Sequence, residues 1–162
     1  MSISAVNDTA ASLGSAFAVI IEDVVAGGGA DGTEVDGPSV DRTVIEGAPK
    51  SPFLGGAILV TAEAVLGAGE TLTVDVQIQD SPNASVWTDY ATLSAVLVLT
   101  SVGGSTERGT GLVTIQDPTT KKVLQGADKF LRAQVTPTMS AGATDTADLT
   151  ASFVFSGGAV AP

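Results

Sequence analysis

The chain of 162 residues contains no cysteine and no histidine. The first absence excludes disulfides, thiolate metal sites and a cysteine nucleophile. The second excludes a Ser-His-Asp triad, an imidazole base and His-ligated zinc, iron or copper. Aromatic residues make up 4% of the chain and charged residues 15%, the latter below the usual quarter. A core must therefore be built from Val, Leu, Ile and Ala, and much of the polar surface from Thr, Ser and Gly. Bases are scarce as well: 7 Lys and Arg stand against 18 Asp and Glu, a net charge of -11. That balance argues against nucleic-acid and anionic-membrane partners. The apolar run over residues 16–21 is far too short to cross a bilayer and meets Glu22 and Asp23. The first basic residue is Arg42, so no secretory leader is expected.

What is present divides near residue 50. Residues 1–52 hold eight acids and two bases, a glycine-rich stretch at 27–32, and Pro38, Pro49 and Pro52. Glycine raises the entropic cost of order and proline removes ladder donors. This part is read as an extended acidic arm with local strands over 16–25 and 40–46. Residues 53–162 read as one β-domain. The clearest strand is 71–79, where Leu72, Val74, Val76 and Ile78 alternate with Thr71, Thr73, Asp75, Gln77 and Gln79. Asp75, flanked by inward valines, points to solvent, and Asp75→Ala is expected to be nearly silent in stability. Further strands are expected over 57–66, 86–93, 95–102, 111–116, 121–125, 130–136 (which runs into Pro137) and 147–155. Polar turns are expected over 103–109 and 117–120. Turn signals every 8–12 or so residues are the spacing of a sandwich or barrel. The expected architecture is all-β: a β-sandwich, jelly-roll-like or immunoglobulin-like, with an extended N-terminal arm.

Candidate chemistry is thin. The glycines at 27–32 lack the spacing and the lysine of a phosphate loop, so a flexible arm is the simpler reading. Asp31, Glu34 and Asp36 match no calcium loop and read as a solvated acidic segment. Glu63, Asp75, Asp80 and Asp89 could pair for glycoside hydrolysis, but sugar sites need aromatic platforms, and only Trp87 and Tyr90 could serve. Those two read more simply as core or seam residues with a wet polar edge. No catalytic residue, metal site or cofactor is assigned. Five of the seven bases, Arg108, Lys121, Lys122, Lys129 and Arg132, fall within 107–132 beside three acids. The acidic arm is therefore set against this basic region of another subunit or of a partner, with ordinary charge scatter as the bland alternative. As partner contacts the composition suggests Phe17, Ile20, Phe53 and Leu54 as apolar anchors, and Lys121, Lys122 and Arg132 as electrostatic ones.

Several stretches carry a resemblance. They are Leu66-Gly67-Ala68-Gly69-Glu70-Thr71-Leu72-Thr73-Val74, then Gln79-Asp80-Ser81 running to Trp87-Thr88-Asp89-Tyr90. Lys129-Phe130-Leu131-Arg132-Ala133-Gln134-Val135-Thr136-Pro137 and the terminal Phe153-Val154-Phe155-Ser156-Gly157-Gly158 complete the set. Over residues 53–158 the chain resembles small virion structural proteins of tailed bacteriophages, in particular those that decorate or cement the capsid. The resemblance implies a non-enzymatic protein, made in the host bacterial cytoplasm, that binds the outer surface of an assembled capsid and stabilises it. It further implies the major capsid protein as partner and a homo-oligomer, with a trimer favoured. The alternatives are a tail or head-fibre module, a carbohydrate-binding or adhesion module exposing Trp87 and Tyr90 on one face, and a hydrolase using acidic pairs.

Overall fold

The computed structural model describes residues 13–41, 55–116, 124, 126–140 and 144–156. Period-2 alternation of apolar and small polar residues makes nearly every described segment a strand. In chain order these are β1 (Leu13–Val25), β2 (Val35–Asp36), β3 (Val40–Asp41), β4 (Gly55–Leu66), β5 (Thr71–Ser81), β6 (Thr88–Thr100), β7 (Ser105–Thr114), β8 (Phe130–Met139) and β9 (Thr146–Ser156). All pairings are antiparallel.

Two sheets form. One has the order β1-β9-β4-β7, the other β2-β8-β5-β6 with β3 also on β8. If β2 and β3 count as two halves of one interrupted strand, the orders become 1-8-3-6 and 2-7-4-5. This is one long hairpin, folded so that first pairs with last, and then rolled into two layers. It is a jelly roll, so the strand order decides between the two architectures the sequence left open. β1, β2 and β3, from the segment set apart as an arm, lie in both sheets.

Between the layers, the inward residues of alternating strands form one apolar core. Ile58 and Val60, Leu72 to Ile78 at alternate positions, Leu131, Ala133 and Val135, and Ala151, Phe153 and Phe155 are all essentially buried. β1 adds Ala18, Val19, Ile21 and Val24. Phe153 and Phe155 stack with ring centroids 5.3 Å apart.

Three differences from the sequence expectation have local causes. The strands expected at 86–93 and 95–102 are one strand, β6, with a bulge at Ala95 (φ 50°). Val74 pairs with Leu97 but Val76 with Leu93, so extra β6 residues sit opposite Asp75. Asp75 Oδ1 accepts the Ala95 N–H at 2.6 Å. Its side chain thus holds the bulge, and the expectation that it is dispensable is corrected.

The turn expected at 103–109 is confined to its start. β7 begins at Ser105, because Ser101 Oγ accepts the N–H groups of Gly104 and Ser105 and closes the turn early. β8, lastly, runs through Pro137 to Met139. Ser140 N donates to Thr71 O, so the residues of β8 that face β5 are the even-numbered ones. Pro137 faces the other way, and its carbonyl accepts Gly32 N at 2.8 Å. The missing donor therefore costs the β5 ladder nothing.

The glycine-rich stretch is an ordered turn and not a loose arm. Gly27, Gly29 and Gly32 take positive φ, and Gly27 N donates to Asp31 Oδ2 at 2.7 Å.

Candidate functional site

The outer faces of the two sheets hold most of the polar side chains. On the β2-β8-β5-β6 face, strand register lines up Asp36, Gln134 and Gln77 in one row and Arg132 and Gln79 in the next. A hydrogen-bonded ladder links all of them but Gln77, which bonds Thr92 instead. Asp36 accepts Arg132 Nη1 at 2.7 Å and Gln134 Nε2 at 2.7 Å. Arg132 Nε donates to Gln79 Oε1 at 2.8 Å, and Gln79 Nε2 donates to Asp89 Oδ1 at 2.7 Å. Thr92 Oγ1 donates to Gln77 Oε1 at 2.6 Å. The Arg132 guanidinium also lies 4.8 Å from the centre of the half-buried Trp87 ring. Nearby, Lys129 pairs with Asp41 at 3.0 Å and sits over Phe130.

Arg132 is thus held on three sides within its own chain. Acids of the 31–41 segment do meet the basic region, but they do so within one molecule. Asp36 and Asp41 reach Arg132 and Lys129, and Asp31 Oδ1 accepts Met139 N at 2.8 Å. The segment is strapped along β8 by three aspartates spaced five residues apart.

On the β1-β9-β4-β7 face lies an open groove of about 770 Å³. Ile20, Glu22, Thr61, Thr110 and Thr150 are among the residues that line it. Asp148, Glu63 and Arg108 stand side by side across three strands. Arg108 Nε donates to Glu63 Oε2 at 2.6 Å, and this hydrogen bond, followed by the charge of Glu63, raises the guanidinium pKa. Ile20 is 58% exposed beside these groups.

Of the residues proposed as contacts, Ile20 is therefore an exposed apolar side chain on a sheet face, and Arg132 belongs to the ladder on the opposite layer. Phe17 lies in β1 with its side chain outside what the structure describes, and Phe53, Leu54, Lys121 and Lys122 lie outside the described residues. Sequence alone missed Asp36 and Gln79 as partners of Arg132. Period 2 put Gln79 on an outer face, but only register brings Arg132 and Asp36 to it.

The carboxylates considered for hydrolysis are dispersed and occupied. Asp80 is buried and accepts Thr88 Oγ1 and Asp128 N, both at 2.8 Å. Asp75 holds the β6 bulge, Asp89 ends the ladder, and Glu63 is on the other sheet. Trp87 and Tyr90 do not share an exposed face, because Tyr90 is buried in the core. That removes the platform on which a carbohydrate-binding module was argued. Among the described residues no three His, Cys, Asp or Glu side chains converge as metal ligands. No described helix is long and apolar enough to cross a membrane.

The geometry defines a jelly-roll domain with polar outer sheet faces, and known structures include that architecture. The chain is similar in fold to a chain in the structure of infectious bursal disease virus, Gx strain, with a TM-score of 0.51 and 12% identity. The match covers 90% of this chain and 32% of that one, so the domain spans about a third of its length. An alignment with the tobacco streak virus coat protein covers 91% and 90% of the two chains at 12% identity, but its TM-score of 0.31 carries no argument. No family model and no curated protein matches the sequence.

Proposed function

We propose that this chain is a structural protein of a virus particle, one that sits on the outer surface of an assembled phage capsid and stabilises it. One observation carries the reading. The strand order is a jelly roll, an architecture that recurs in viral capsid domains, and nine-tenths of the chain superposes on part of a chain from a virus structure. Charge supports an outer position. A domain of net charge -11 is repelled by a packaged genome, so contact with the shell from outside is the favourable placement. The outer sheet faces suit lattice binding, since many modest contacts repeated over a shell add through effective concentration. Ile20, exposed at the edge of the groove, is the contact we assign on the described surface.

Purified particles test this directly. A shell component is present in hundreds of copies and, added back to stripped particles, raises the temperature at which they break. A handful of copies would make it a tail or fibre part, and absence from particles would end the proposal. Ile20→Asp should weaken binding to stripped particles about tenfold while leaving the protein's own melting unchanged.

A further inference from the structure

We propose that β7 is a pairing edge, through which two copies of this chain join antiparallel about a twofold axis at Thr110. The inference is independent of the role proposed above, because it concerns the isolated chain.

Edge strands offer unpaired backbone groups, and proteins usually blunt them with bulges, brevity or proline. Three edges of this sandwich are blunted. β1 has register irregularities between Phe17 and Val19 and between Ile21 and Val24. β6 is irregular against β5 at two places. β2 and β3 have two residues each. Among the described residues β7 shows none of these devices: it runs ten residues, Ser105–Thr114, in unbroken register with β4 and contains no proline.

The backbone direction along β7 follows from one hydrogen bond. Ile115 N donates to Gly56 O, the residue directly opposite in the continued register. Odd-numbered residues of β7 therefore face β4. The N–H and C=O groups of Thr106, Arg108, Thr110, Leu112 and Thr114 face away, and among the described residues they have no backbone partner.

A second copy fits this edge because the edge is self-complementary. With the axis at Thr110, Thr110 meets Thr110, Thr106 meets Thr114, and Arg108 meets Leu112. All five outward residues then pair in both directions. An axis at Arg108 would instead set the two guanidinium groups against each other, and an axis at Gly109 would leave Thr114 without a strand residue opposite. Cross-strand Thr–Thr pairs are favourable, and like charges directly opposite are not. Leu112, 64% exposed beside a groove of about 490 Å³ between β6 and β7, would be covered by the pairing.

Sedimentation of the full chain, in about 0.15 M salt so that the net charge of each copy is screened, tests the inference. The wild type is expected to be a dimer. Thr110→Pro removes an N–H that β4 does not use, so it should give a monomer with an unchanged β-type circular-dichroism spectrum. Should proline disturb the fold, Leu112 provides a second test. Leu112→Lys sets a cation opposite Arg108 of the second copy twice over, whereas Leu112→Glu sets an anion there. The dissociation constant should be about tenfold higher for Leu112→Lys than for Leu112→Glu. A general effect of net charge would run the other way, because Lys reduces the charge of each copy and Glu increases it. A wild-type monomer or trimer, or equal dissociation of the two Leu112 variants, would overturn the proposal.

Discussion

Asp75 carries a job that its solvent-facing position conceals. Its Oδ1 takes the N–H of Ala95 at the point where β6 gains residues over β5. Replacing it with alanine leaves that donor without its partner and should lower stability by about 1 kcal/mol. Asp75→Asn, which keeps an acceptor oxygen, should recover most of that loss. Urea unfolding of the three proteins checks this, and identical midpoints would refute it. The alternation across Thr71 to Gln79 was legible in the sequence, and it placed Asp75 on the outer face correctly. What stood opposite was not legible, because a bulge in the partner strand leaves no mark on the strand that accommodates it.

At the scale of elements, the strap from Asp31 to Asp41 is the least self-sufficient part of the fold. β2 and β3 form two ladder pairs each with β8, so side chains supply much of the hold. Asp36→Ala removes the bonds to Arg132 and Gln134 together. The ion pair is half exposed at Asp36 and should be worth about 1 kcal/mol or less. Amide exchange at Gly37, which donates to Ala133 O, should then quicken by up to about fivefold, while β4 and β9 amides keep their rates. Uniform acceleration across the sandwich would mean that the strap is not a separate unit. Asp31 and Asp36 stood out in the sequence beside Glu34, as did the excess of bases downstream, but Asp41 did not. That they meet in one molecule depends on β8 returning alongside, a contact about a hundred residues away in the chain for Asp36 and Arg132.

For the molecule as a whole, the two layers come close together where β7 crosses β6. A Cβ built on Gly111 would lie 1.9 Å from the Val96 carbonyl oxygen, which is backbone and cannot swing aside. Gly111→Ala should therefore cost about 3 kcal/mol by forcing the sheets apart. Gly103→Ala, in open space at the β6–β7 turn, should change stability by about 0.5 kcal/mol at most. Equal losses in denaturant melts would show that the layers do not touch there. The sandwich itself was readable from strand spacing and from the lack of helical periodicity. Its winding was not, since a jelly roll and an immunoglobulin fold place similar strands at similar intervals and differ only in which distant strands become neighbours.

The chain has one tryptophan, and the ladder's arginine lies against its ring, 4.8 Å from the centre. The same arginine grips the strap through Asp36. Detachment of that clasp would free the guanidinium and let water reach the indole, moving its emission to longer wavelength. The protein thus contains its own optical gauge of strap closure, readable without a label in free chains and on particles alike.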